Sequence, residues 1–131
     1  MAEVMKHQSD MAALSRAMVA LHKEQFGRGP TGARSYLGGG NVLTVVLDDA
    51  LLPAEVSMTE NGEGTRVRES RVAMQVATRE QFVSTVEQIV LRKVRAFASA
   101  IDADTGTVFE VFTLEPREDD EEQVGGSDGD L

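Results

Sequence analysis

Two β-rich pairs, each folded about a turn, flank a long helical middle, and this arrangement restricts the chain to few folds. The first pair is Ala33–Leu37 and Val42–Leu47 (VLTVVL), joined by Gly38-Gly39-Gly40-Asn41. The second is Arg95–Ile101 and Thr107–Leu114 (TVFEVFTL), joined by Asp102-Ala103-Asp104-Thr105-Gly106. Turn residues tolerant of positive φ between two apolar runs predict hairpins, and hairpin strands pair antiparallel.

The remaining segments follow helical periods. Met11, Leu14, Met18 and Leu21 share one face of a first helix. Ser9 or Asp10 is its expected cap, Gly27 its end, and Pro30 prevents resumption. Residues 1–9 are expected to be frayed. Pro53 opens a short helix with Glu55 in its first turn, and Asn61-Gly62 closes it. The longest helix is expected over Thr65–Val90. Its predicted buried stripe is Val72, Val76, Val83, Val86 and Val90, widened by Met74 and Ile89. So many β-branched residues are poor helix formers, so the period rather than propensity carries this reading.

The order α-β-β-α-α-β-β predicts an α+β fold: one four-stranded, mostly antiparallel sheet from two hairpins, with helices packed on it. The last strand carries Phe109 and Val111 on one side and Val108, Phe112 and Leu114 on the other. A strand apolar on both sides needs cover on both, from a helix or from another protein. A homodimer would supply it, with Phe109 or Phe112 as the candidate contact.

The 131 residues suit one domain, expected over residues 10–116. Charge separates it from the C-terminal segment. Glu115–Leu131 holds eight of the 22 acids and one of the 13 bases. The preceding residues then carry 14 against 12, and the net −9 falls to −2 there. Residues 117–131 are expected to be a disordered acidic tail. A nearly neutral domain argues against nucleic acid as a partner, which favours a basic face. The chain has no cysteine, so it has neither disulfide nor thiolate nucleophile, and a reducing cytosol suits it. No apolar run is long enough for direct membrane insertion, and the N-terminus does not read as a secretory signal. The expected location is the cytoplasm.

Few residues suggest chemistry. Phe26-Gly27-Arg28-Gly29-Pro30-Thr31 is the most distinctive local sequence. Arg28 and Gly29, with Arg34 on the next strand, are candidate anion or partner contacts. The simpler alternative is a helix end leading through a turn into a strand. A phosphate loop of the Walker type would need GK[ST] and a following helix. Gly38-Gly39-Gly40 reads as a hairpin tip. His7 and His22 are too far apart to suggest a zinc site, and spacing names no partner for His22 as a base. Asp48-Asp49 is a candidate cation ligand; Asp102-Ala103-Asp104 resembles the opening of a calcium loop but lacks its other ligands. The arginines of the long helix, with Arg34, Arg92, Lys93 and Arg95, either form a basic patch or pair with Glu69, Glu80 and Glu87 on a solvated face. No catalytic, cofactor-binding or metal-binding set emerges, so no cofactor is expected.

The core text resembles the MpsC-type domain family over about residues 11–116. The resemblance lies in Gly27-Arg28-Gly29-Pro30 with the following strand, Leu52 to Glu55 leading into a helix, and a closing Val-Phe-x-Leu-Glu-Pro. Leu52 departs from the threonine expected as helix cap there. The family is named for a component of a bacterial sodium-translocating, membrane-potential-generating system. The resemblance implies a non-catalytic accessory or regulatory protein, whose protein partner would be a membrane transport subunit for sodium or inorganic carbon. A self-associating interaction module without a transport role is the alternative; a nucleic-acid-binding domain and an enzyme rank below it.

Overall fold

A computed structural model of the chain describes residues 1–116, so the expected acidic tail at 117–131 lies outside the described residues. The elements run α1 (Ala2–Phe26), β1 (Gly32–Gly38), β2 (Val42–Asp48), α2 (Pro53–Glu60), α3 (Gly64–Val90), β3 (Val94–Asp102) and β4 (Thr107–Leu114). The α+β order predicted from the turns is the order observed.

Helix α1 stops as its sequence suggests: Gly27 takes φ 78° and its amide donates to the Lys23 carbonyl at 2.8 Å. Its start differs from expectation. The helix begins at Ala2, so residues 2–9 are helical rather than frayed, although their side chains are exposed. No glycine or proline interrupts this stretch, and Lys6 pairs with Asp10 one turn on at 2.7 Å.

The sheet is antiparallel throughout, in the order β1-β2-β4-β3. Each hairpin forms half of it, and β2–β4 is the seam, registered from Val42↔Thr113 to Leu47↔Val108. The β1–β2 turn uses Gly39 and Gly40 at φ 59° and 79°, a region costly for residues with a Cβ. The helices cover one face. Leu43, Val45 and Leu47 of β2, and Val108, Phe112 and Leu114 of β4, are buried there against Leu14, Met18 and Leu21 of α1 and Phe82, Val86 and Val90 of α3. Phe97 of β3 stacks on Phe112, with centroids 4.4 Å apart and planes 2° apart.

The buried face of α3 keeps the C-terminal part of the valine stripe, Val86 and Val90 with Val83 packed beside them, and leaves out its N-terminal part. Val72 and Val76 are 53% and 72% exposed. The inward residues are Val67, Arg71, Phe82, Val86 and Val90. One helical step rotates a side chain by about 100°, so placing Arg71 inward carries Val72 off the core.

Candidate functional site

The glycine- and arginine-bearing loop after α1 is a packing device. Arg28 Nη1 donates to the carbonyls of Asp49 (3.1 Å) and Leu51 (2.7 Å), and its Nη2 donates to the Asp49 carboxylate at 2.9 Å. These bonds pin the β2–α2 connection, in which Asp49 has φ 52°. A Cβ on Gly29 would lie 3.3 Å from both the Val19 carbonyl oxygen and its Cγ1, so the loop lies against α1 where only glycine fits without displacement. Arg34 pairs with Asp48 across β1–β2 at 3.2 Å. All three candidate contacts are thus engaged locally, and Asp48-Asp49 holds arginines.

The other arginines do not converge either. Arg92 donates to the Gly40 and Glu115 carbonyls and to Asn41 Oδ1, holding the hairpin tip to the β3 side. Arg79 donates to the Phe97 carbonyl at 3.1 Å, and Arg66 pairs with Glu63 at 3.0 Å. The carboxylate of Glu87 accepts the Val94 amide instead of an arginine. Arg71 is buried. It donates to both oxygens of Glu55 and to the Ala50 carbonyl, and its guanidinium lies 3.9 Å from the centre of the Phe26 ring. Glu55 also accepts the Leu52 amide at 2.8 Å. That is half of a capping box, and it gives α2 an N-terminal partner that Leu52's side chain cannot supply.

A second buried polar group crosses the core. His22 is 4% exposed and Glu110 3% exposed, and His22 Nε2 lies 3.1 Å from Glu110 Oε1. Helix α1 and the centre of β4 are thereby joined across 88 positions of sequence. His22, for which spacing named no partner, thus has one from a distant strand. Glu110 shares the inward face of β4 with Val108 and Phe112 because strand side chains alternate. Both line a cleft of about 40 Å³ between α1, α3 and β3, walled by Phe26, Phe82 and Phe97. His22 Nδ1, Gln25 Nε2 and Glu110 Oε2 are buried with no hydrogen-bond partner among the described residues. Among those residues, no three His, Asp or Glu side chains group as a metal site.

The opposite sheet face is bare. Its rows are Arg34 and Tyr36 of β1; Val42, Thr44 and Val46 of β2; Phe109, Val111 and Thr113 of β4; and Ala96, Ala98 and Ala100 of β3. Tyr36, Val42 and Phe109 are 52%, 41% and 38% exposed. No described helix packs there. Phe109 thus lies where a contact would need it, whereas Phe112 is fully buried in the core and is not available to a partner. Strand alternation put these two phenylalanines on opposite faces; the helices' side decided which one stays exposed.

Among the described residues, no helix is long and apolar enough to cross a membrane. A family model described as Na+-translocating membrane potential-generating system (MpsC) matches residues 7–116. No curated protein and no solved structure matches the chain significantly.

Proposed function

This chain belongs to the MpsC family, and from that premise we propose that it is a non-catalytic accessory protein of a sodium-translocating, membrane-potential-generating system. It acts from the cytoplasm by protein contact, through the open sheet face centred on Phe109. The bare face is the observation that carries this reading. Four strands about 4.8 Å apart, each some seven residues long at about 3.3 Å per residue, span roughly 400 Å² in projection. That is the size of the largest exposed patch on a typical monomer, which is often a functional surface. It is smaller than the roughly 800 Å² per partner of a standard interface, which suits a reversible association. The charged groups on this face lie at its two ends, Arg34 with Asp48 at one and Arg95 beside Val42 and Thr113 at the other, so the rows between them can be desolvated without stripping an ion.

Self-association is the second reading, and the same face favours it: two copies related by a twofold axis would cover Phe109 with its counterpart. Phe109→Asp separates both readings from an inert surface. The wild-type chain is expected to co-purify with an ion-translocating membrane subunit, and the variant is expected to lose it while retaining its fold. Self-association without any membrane subunit would establish the second reading instead. A variant that keeps every association of the wild type would remove the sheet face from both.

A further inference from the structure

The cleft beside His22 and Glu110 has a chemistry that protein contact does not use, and it stands apart from the accessory reading. Buried polar atoms without partners are costly, and three of them come from residues that line this one cleft. One assignment of tautomer and amide orientation makes all three acceptors. Glu110 Oε2 is an acceptor. With Nε2–H donating to the Glu110 carboxylate, a neutral His22 presents a lone pair at Nδ1, a second acceptor. Gln25 supplies a third when its amide is turned over, which exchanges nitrogen and oxygen at nearly unchanged shape.

The charge balance points the same way. Arg71 and Glu110 are the fixed charges lining the cleft, and Arg71 is already matched by Glu55 at 2.6 and 2.8 Å. With His22 neutral, that leaves the Glu110 carboxylate without a cation of its own. The walls include Phe26, Phe82 and Phe97, whose apolar rings leave the Glu110 carboxylate little solvent. A water needs roughly 10–15 Å³ of such volume, so about 40 Å³ admits a group of a few heavy atoms.

We propose that this cleft binds a small primary ammonium ion, ammonium itself or a short alkylammonium, whose N–H groups donate to Glu110, His22 and Gln25. A metal cation would require more oxygen ligands than this set offers, and a quaternary ammonium would have no N–H to donate.

Thermal unfolding of the full chain in ammonium or methylammonium chloride, against tetramethylammonium and potassium chloride at matched ionic strength, tests this. The first two salts are expected to raise the midpoint along a saturating curve, and the controls are not. Glu110→Gln is expected to abolish the saturable rise. Because that variant alters a buried pair, a second measurement uses the wild type: titration with ammonium should move the ¹⁵N resonance of His22 Nδ1 with the same half-saturation. A rise equal in all four salts, or an Nδ1 resonance that does not respond, would overturn the site and leave the cleft to water.

Discussion

Arg71 and Glu55 form a two-pronged pair, Nε to Oε2 at 2.8 Å and Nη2 to Oε1 at 2.6 Å, that ties α3 to the first turn of α2. No side chain of α2 is fully buried, so this pair and the Leu52 amide bond are its chief polar anchors. Burial alone would raise the Glu55 pKa. The hydrogen bonds from Arg71 and from the Leu52 amide, with the guanidinium charge, outweigh it and hold the carboxyl below its ordinary 4.5. A depressed folded-state pKa means stability fully present above the ordinary value and lost as pH falls through the folded one. Wild type is therefore expected to exceed Glu55→Gln in stability at neutral pH, with the gap closing only below about pH 4.5. Denaturant titrations at several pH values check this; a gap independent of pH would mean that the Glu55 charge contributes nothing.

Removing the other partner is expected to be costlier. Arg71→Ala leaves a largely buried carboxylate facing no cation, a loss of about 3 kcal/mol or more. Arg71→Lys should recover part of this, since an ammonium keeps the charge but not the fork. Urea unfolding midpoints for the three proteins give the order.

Val86 is fully buried between α3 and the sheet. Val86→Asp is expected to destabilise the domain by about 4 kcal/mol or more and so to leave it unfolded or aggregated. A soluble variant with a cooperative melt would show that the α3 packing is misassigned.

Leu91 ends α3 at φ 57° with its side chain 76% exposed. It therefore bears the left-handed penalty while burying little. Leu91→Gly is expected to stabilise by about 0.5–1 kcal/mol, the strain relieved less the added freedom of the unfolded chain. Calorimetric melting should show the rise, and a fall would mean that the Leu91 side chain has a packing role.

Phe109→Asp is expected to lose less than about 1 kcal/mol of stability, because the site lies on an exposed strand face. Sedimentation velocity across a dilution series should then show a concentration-dependent dimer for wild type and a monomer for the variant. A wild type that stays monomeric at high concentration would argue against self-association.

The elements were legible because their ends are marked by local chemistry: Gly27, Pro53, Asn61-Gly62 and the two hairpin turns act within a few residues of themselves. The phase of α3 was legible at Val83, Val86 and Val90 but not in its first half. Val72 and Val76 have the apolarity of core residues, and Arg71 has the charge of a surface one. Only the distant Glu55 and Ala50 carbonyl make Arg71 acceptable inside. His22 was hidden for the same reason, its partner being 88 positions away. Glu110 could have been found, since alternation along TVFEVFTL puts it on the same face as Val108 and Phe112. A lone acid on an apolar strand face signals a buried partner.

The β2–β4 seam has a kinetic consequence. Each hairpin closes through a short turn, a microsecond event in isolated peptides. The seam must instead bring Leu47 to Val108 across everything from Asp48 to Thr107, at an entropy cost that local pairing does not meet. The two halves are therefore expected to gain structure early and to meet late, so that the encounter at the seam sets the folding rate. Until then each hairpin has an unpaired central edge, β2 in one and β4 in the other, and these are the most apolar strands of the sheet. A chain stalled at that stage could pair its β2 with the β4 of a neighbour. Exchange of whole hairpins between molecules is thus the misfolding route that this topology leaves open.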